Sequence, residues 1–444
     1  MVRELILKIL VNILKEGAYS NIELNKCFKV NKLDQRDTAF ISEMVMGVLK
    51  YKERLDYVIA QFSSIKLKKI SVWIINTLRM GVYQLMFMDR VPQSAAVNEC
   101  VKLAKRYGHA YSSKFVNGVL RNIARNIEKI EYPAKDTPEY LSVCYSYPMW
   151  LVEKFVDEFG HDFAKELLKS LNDKPKFCIR ANTTKVTVKE LLDMFKERGV
   201  KAFESGMSKY GLVVENSHNI TGMDLYENGY FTIQDESSMK VAEILDPRVG
   251  DVVIDVCAAP GGKTTHIAEI MNNSGVLYSQ DLYLHKVNLI KSAAKRLGLS
   301  NIKTNVYDAT NVRENLIGKA DKVLVDAPCT GLGIVRRKPD IKWRKEISDI
   351  DNISTLQYKI LCSASKYVKV GGSIVYSTCT VMREENIEVV NKFLKEHGDF
   401  EIEDITGFIP DSINSSTAKD GYMEFYPNIQ GTDGFFVAKM KKIK

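Results

Sequence analysis

Two cysteines sit in settings that could make them reactive. Cys329 lies in Asp326-Ala327-Pro328-Cys329-Thr330-Gly331 and Cys379 in Ser377-Thr378-Cys379-Thr380, each directly after an apolar run of strand length. The carboxyl ends of parallel strands meet at one edge of a sheet, so cysteines placed there would face a common ligand. A thiolate at such an edge can activate a substrate by adding to it covalently. One substrate that would need such help is a cytosine accepting a methyl group, whose carbon 5 is too weak a nucleophile to attack a sulfonium unaided. A thiolate adding at carbon 6 would make it an enamine, and a second group would have to help when the carbon 5 proton leaves and the thiolate is eliminated. The scheme needs one cysteine of low pKa, which Lys263 and nearby backbone dipoles could provide. Asp326 could hydrogen-bond the exocyclic amine and ring nitrogen of cytosine, marking that base against uracil. On the residues alone, either cysteine can be the nucleophile.

The methyl donor follows from a second motif. A strand reading into Asp255-Val256-Cys257-Ala258-Ala259-Pro260-Gly261-Gly262-Lys263 is followed at once by a helix opening with Thr264 and Thr265. Small residues at such a turn let backbone N–H groups approach an anion at a helix N-terminus. A dinucleotide site would need G-x-G-x-x-G, and its first glycines are absent. A phosphate loop would need G-x-x-x-x-G-K-[ST]; Gly262-Lys263-Thr264 supplies its end, but its first position is Cys257 and Pro260 removes an N–H. What remains is the methionine carboxylate of S-adenosylmethionine. Acids end four successive strands, Asp255, Asp281, Asp308 and Asp326. Asp281 would take the ribose hydroxyls and Asp308 the adenine amino group.

The elements that must position these residues begin near Tyr230. Apolar strands at 252–256, 276–280, 303–307, 322–325 and 373–377 alternate with helical stretches, which predicts a parallel, doubly wound Rossmann-like sheet. Residues 400–405 and 434–440 read as a terminal strand pair without an intervening helix, and an antiparallel last strand is expected. Before this, a helix over 149–171, a strand over 177–182, a helix over 188–198 and short strands near 200–204 and 211–214 predict a small α+β unit. Residues 132–148 read as a linker. The first 131 residues show almost only helical periodicity, about five helices.

The chain of 444 residues carries 63 Lys and Arg against 55 Asp and Glu, a mild excess of +8, so the distribution of charge matters more than its sum. Between 102 and 129 the cations Lys102, Lys105, Arg106, Lys114, Arg121, Arg125 and Lys129 face one acid, Glu128, which predicts an RNA-facing surface. Arg336, Arg337, Lys338, Lys342, Arg344 and Lys345, with Trp343 among them and Asp340 opposing, predict a second contact with a phosphate backbone and an unstacked base. The apolar run 71–88 holds Arg79 at its centre, so a buried helix is expected rather than a membrane span. Eight cysteines without a C-x-x-C pair argue against structural zinc and disulfides, and no metal is expected. Cys27, Cys100, Cys144, Cys178 and Cys362 read as small buried hydrophobes.

The motifs DVCAAPGGKTTH, DAPCTG, RRKPDIKW, STCT and DGFFVAK resemble those of the Sun family of bacterial ribosomal RNA (cytosine-5) methyltransferases, also called the RsmB or Fmu type. The resemblance spans nearly the whole chain. It implies an all-α NusB-like domain over 1–131, a small α+β connecting RNA-binding domain over 145–229, and a class I methyltransferase domain over 230–444. It implies S-adenosylmethionine contacts from Cys257, Ala258, Ala259, Pro260, Gly261, Gly262 and Lys263 and from Asp281, Asp308 and Asp326. It also implies Cys379 as nucleophile and Cys329 as the residue assisting release, although in the related DNA enzymes the cysteine after the proline is the nucleophile. Arg180, Asn182, Gln234 and Asp235 match family positions expected near substrate. The expected protein is a cytoplasmic monomer methylating small-subunit (16S) ribosomal RNA, with no membrane association and no required protein partner.

Overall fold

A computed structural model describes residues 2–215, 220–413 and 416–444 as two compact units. One runs from Met1 to Asp173 and takes in Val335–Glu346; the other comprises Lys174–Ile334 and Ile347–Lys444.

The first unit is all helical: α1 Val2–Leu14, α2 Ser20–Val30, α3 Gln35–Lys50, α4 Lys52–Phe62, α5 Val72–Phe87, α6 Gln93–Tyr107, α7 Ser112–Arg125, α8 Pro138–Tyr145, α9 Met149–Phe159 and α10 His161–Ser170. Apolar stripes at three- and four-residue spacing form one core, including Ile6, Leu10, Ile41, Met44, Val48, Leu78, Val82 and Leu120. At Gly47 a Cβ would lie 2.0 Å from the Tyr83 ring, so glycine lets α3 and α5 approach. Arg79, on the apolar α5, is buried and donates to both Asp56 carboxylate oxygens at 2.7 Å. Among the described residues no helix is long and apolar enough to cross a membrane.

Local signals account for two departures from expectation. The predicted linker contains α8, opened by the Thr137 side chain accepting from Tyr140 N–H with Pro138 in the first turn. The predicted helix 149–171 is broken at Gly160, whose φ of 79° ends α9 where α10 begins.

The second unit opens with a four-stranded antiparallel sheet in the order β2-β3-β1-β4, made of β1 Phe177–Ala181, β2 Ala202–Glu204, β3 Gly211–Val214 and β4 Phe231–Ile233. Helix α11 Val188–Glu197, opened by a reciprocal Thr187–Glu190 capping box, packs on it through Leu191 and Phe195; α12 Asp224–Glu227 is a single turn. Helix α13 Glu236–Leu245 leads into an eight-stranded sheet.

That sheet alternates strand and helix: β5 Val252–Asp255, α14 Gly262–Ile270, β6 Val276–Asp281, α15 Leu284–Leu297, β7 Ile302–Val306, β8 Ala320–Asp326, α16 Ile347–Ser365, β9 Val368–Thr378 and α17 Ile387–Glu396. It closes with β10 Phe400–Ile402, β11 Tyr422–Phe425, α18 Pro427–Gln430 and β12 Phe435–Lys442. The order is β10-β12-β9-β8-β5-β6-β7, with β11 on β12. Strands β9, β8, β5, β6 and β7 are parallel, and β12 is antiparallel to β9, as the terminal pair predicted. The expected strand over 400–405 stops at Ile402, and β11 has no signal in the sequence. Strand order reverses between β5 and β8, the position where doubly wound sheets hold ligands. The chain is thus a multidomain α/β protein.

Candidate active site

The turn after β5 lies at this switch point. Gly261 caps α14 with φ +106°, and a Cβ there would press on Ile290 Cα at 3.2 Å; a Cβ on Gly262 would meet nothing within 4 Å. The open space therefore lies against the first turn of α14, where unpaired N–H groups favour an anion. Asp281 ends β6 largely buried, its Oδ2 accepting from Ala259 N–H at 3.3 Å and its Oδ1 3.6 Å from the Lys286 ammonium. Asp308, just past β7, is exposed and accepts from Thr310 N–H and hydroxyl. Burial, and after it Asp255, Asp326 and Asp281, pushes the Cys257 thiol well up. A helix N-terminus for a carboxylate, an acid for a diol and a negative field for a sulfonium fit S-adenosylmethionine. Asp255 does not join this set. It is fully buried and accepts from the Thr264 hydroxyl at 2.6 Å, and burial lifts its carboxyl to about 7.

The loops carrying Cys329 and Cys379 leave adjacent strands, Asp326 lying opposite Ser377. Their sulfurs, Cys329 Sγ and Cys379 Sγ, are 3.1 Å apart, and Cys379 N–H points at Cys329 Sγ from 3.4 Å. The Cys329 thiol is pushed well up, first by its hydrogen bond with Cys379 and then by burial. Asp326 accepts from Lys263 Nζ at 2.8 Å and from the Ser377 hydroxyl at 3.0 Å. Lys263, expected beside a thiolate, thus holds the acid at the end of β8 and stacks 4.8 Å over the Phe435 ring.

Both loops are tied to one residue that the sequence motifs do not single out. Glu385, fully buried, accepts from Thr330 N–H and hydroxyl at 2.8 and 2.5 Å, from the Thr380 hydroxyl at 3.2 Å and from Gln357 Nε2 at 3.1 Å. Gln357 also donates to Pro328 O at 2.9 Å. Asn386 accepts from the Thr378 hydroxyl at 2.5 Å and donates to Thr380 O at 3.1 Å. A buried carboxylate is tolerated only with such partners. The local clue to Glu385 is an acid in the short turn after STCT.

The structure brings together Cys257, Ala258, Ala259, Pro260, Gly261, Gly262, Lys263, Asp281, Asp308, Asp326, Cys329 and Cys379 at the carboxyl edge of one sheet. Other expected positions bond to neighbouring protein groups. Arg180 is fully buried and bonds both Glu269 carboxylate oxygens at 2.9 Å, Gly262 O at 2.8 Å and the Gln234 side chain, so it braces α14. Asn182 donates to the carbonyls of Gly229 and Leu297, and Asp235 caps α13. The segment after the Cys329 loop departs most. Lys342 is fully buried in the helical unit, donating to Lys50 O at 2.9 Å, and Trp343 Nε1 donates to Leu49 O at 2.5 Å. The predicted RNA contact of Lys342 is therefore corrected to an interior one, whereas Trp343 stays half-buried. The cations on α6 and α7 stay exposed, although Lys102 pairs with Glu99 at 2.6 Å and Arg106 with Glu4 at 2.6 Å. All eight cysteines are free, and Cys144 and Cys362 are only half-buried. Among the described residues no three His, Cys, Asp or Glu side chains are grouped to hold a metal.

Comparison with known proteins adds the family. Three family models match in chain order: the NusB family over 1–125, a ferredoxin-like domain of RsmF/B-like methyltransferases over 147–221, and 16S rRNA methyltransferase RsmB/F over 242–441. The ferredoxin-like match starts before α9, which by contacts groups with the helical unit. A Bacillus subtilis (strain 168) protein named probable ribosomal RNA small subunit methyltransferase B is 39% identical, covering 99% of this chain and 98% of its own. Ribosomal RNA small subunit methyltransferase B of Photorhabdus laumondii (strain DSM 15139 / CIP 105565 / TT01) is 30% identical over 92% of both chains. Among solved structures, PH0851 superposes with TM-score 0.83 at 28% identity, covering 99% of this chain and 98% of its own. NSun6 from Pyrococcus horikoshii does so with TM-score 0.59 at 25% identity, covering 68% and 99%. With the motifs, the domain order and a full-length relative in agreement, the chain belongs to the 16S rRNA methyltransferase RsmB/F family.

Proposed function

We propose that this protein transfers a methyl group from S-adenosylmethionine to carbon 5 of a cytosine in small-subunit ribosomal RNA, with Cys379 as covalent nucleophile and Cys329 as the group assisting release. The observation that carries the reading is the pair of sulfurs 3.1 Å apart beside the Lys263–Asp326 ion pair. Bound S-adenosylmethionine supplies an electrophilic methyl group. The first turn of α14 and Asp281 would hold it, and the Asp326 carboxylate would accept from the exocyclic amine of cytosine. Cys379 Sγ would add to carbon 6, and the carbon 5 electron pair would take the methyl as S-adenosylhomocysteine leaves. The carbon 5 proton would then pass to a base, water or the Cys329 sulfur in its deprotonated form, as the sulfur–carbon 6 bond breaks and the Cys379 thiolate is released. Either sulfur can donate to the other across that contact, and the choice of Cys379 as nucleophile follows the family resemblance of its STCT loop.

Trapping separates the roles. Cys379→Ala should lose at least about a thousandfold in rate and form no protein–RNA adduct, as expected when a covalent nucleophile is removed. Cys329→Ala should accumulate an adduct that survives denaturation. An adduct with Cys379→Ala and none with Cys329→Ala reverses the assignment. Unimpaired turnover in both variants removes covalent catalysis. Bisulfite sequencing of 16S rRNA with and without the gene tests carbon 5 of cytosine as the target.

A further inference from the structure

Glu385 is a buried carboxylate that takes no part in the proposed steps, yet it grips the residue after each cysteine. Backbone bonds join the two loops on either side of that grip: Ala327 N–H donates to Ser377 O at 2.9 Å and Gly333 N–H to Cys379 O at 3.0 Å. Between them stands Thr330, whose N–H donates to Glu385 Oε2 at 2.8 Å. Glu385 Oε1 accepts from the Thr330 hydroxyl at 2.5 Å and from the Thr380 hydroxyl at 3.2 Å, and the two hydroxyls lie 2.9 Å apart. Gln357 Nε2, on α16, donates to Oε2 at 3.1 Å and to Pro328 O at 2.9 Å, just before Cys329.

The holder is itself held. Glu385 closes the short turn Arg383–Glu385, and its carbonyl accepts from the hydroxyl of the fully buried Tyr376 at 2.5 Å. The next residue, Asn386, bonds Thr378 and Thr380 on either side of Cys379. All of these residues belong to the catalytic unit.

Stability alone gives no reason for a charge at this position. Four neutral donors solvate the carboxylate, but burial still pushes it above the usual glutamate range, and an apolar side chain would carry no such penalty. Perturbed buried groups of this kind gather at functional sites. What an acceptor-only group does among four donors is fix where those donors stand, and three of the four come from Thr330 and Thr380.

We infer that Glu385 is a positioning residue for methyl transfer: by binding Thr330 and Thr380 with one carboxylate, it sets where the Cys329 and Cys379 sulfurs stand relative to each other. It acts through the two threonines. The 3.1 Å between the sulfurs is then a distance that this side chain keeps. A displacement near 1 Å at reacting atoms can cost about 100-fold in rate, so its loss should be measurable.

The inference rests on the proposed cysteine chemistry, and the full chain tests it. Glu385→Gln keeps the side chain's length but puts an amide NH2 where one oxygen accepted, so that two of the four donors lose their acceptor. Thr380→Val leaves the carboxylate and removes the hydroxyl that brings the Cys379 loop to it. Single-turnover methyl transfer to 16S rRNA should fall by about tenfold or more in Glu385→Gln and by at least about threefold in Thr380→Val, with KM for the RNA within about twofold. A second measurement needs no RNA: the rates at which iodoacetamide alkylates Cys329 and Cys379, followed by mass spectrometry, should change in both variants. A fall smaller than about threefold in either variant overturns the inference. So does a rise in KM alone, which would make Glu385 part of substrate binding, and so does a loss of rate that merely tracks the folded fraction. If Glu385→Gln does not fold, Thr380→Val decides by the same criteria. If the unaltered chain transfers no methyl group to 16S rRNA, the proposed function fails instead, and the alkylation rates alone decide whether Glu385 positions the cysteine pair.

Discussion

Residues 326–331 and 335–346 are neighbours in sequence, and both stand out for their side-chain chemistry. In the first, Asp326 and Cys329 are where strand and turn signals put them, at the sheet edge beside Cys379. In the second, a run that reads as a basic contact for a phosphate backbone groups with the helical unit, with Lys342 fully buried. A residue at a strand end has a place assigned by sheet topology. A residue in a segment without periodicity has none until its partners are known, and here they are the carbonyls of Leu49 and Lys50.

Lys342→Glu should break this contrast most severely. Burial, with Lys50 and Lys52 behind it, holds the Lys342 amine well below the usual lysine range, and in either protonation state it still donates N–H to Lys50 O. A carboxylate there would face helix-end carbonyls, and an uncompensated buried charge costs about 3–5 kcal/mol. Denaturant unfolding should show that loss, whereas Lys338→Glu, at an exposed position, should stay within about 0.5 kcal/mol. Equal effects would mean that Lys342 is not an interior anchor.

Asp255 is the counterexample within the sheet edge, a strand-end acid that turned inward. Its folded carboxyl is lifted to about 7, above its unfolded value, so its contribution is fully present below about pH 4 and is lost as pH rises through about 7. Stability of the catalytic unit should therefore decline across that window by up to about 4 kcal/mol on account of this group. Asp255→Asn should flatten the decline in a pH series of unfolding midpoints; an unaltered profile would place the cause elsewhere.

The α6–α7 face gives the mildest test, since its cations stay exposed. Reversing Lys102, Lys105, Arg121 and Arg125 should weaken RNA binding and reduce the log–log salt slope, by roughly 0.9 for each duplex phosphate that is no longer neutralised. Lys102 should contribute least, because Glu99 already pairs with it. Unchanged affinity and slope would make the face a solvated one.

What can be read in sequence is local. Alternation of apolar strands with helices, Gly261 at a left-handed helix cap and small residues before α14 each act within a few residues, so the sheet, its cofactor turn and the edge position of both cysteines are legible. Gly160, splitting a predicted helix, and Thr137-Pro138, starting an unexpected one, are local signals too, but each is outweighed by its surroundings: an apolar periodicity that continues past the glycine, and prolines and aromatics that resemble a linker. The short β11 is different, since its pairing with β12 is a long-range choice.

The sequence by itself determined which residues stand at the carboxyl ends of the strands, because strand period and turn chemistry are set by near neighbours. Only the tertiary structure decided what each one does there. It turned Asp255 inward and left Asp326 reachable, spent Lys263 on Asp326, made Glu385 the tie between two loops, and buried Lys342 at the end of α3. The physical reason is that desolvation and hydrogen-bond partners set the state of an ionisable side chain, and those partners come from residues far apart in the chain.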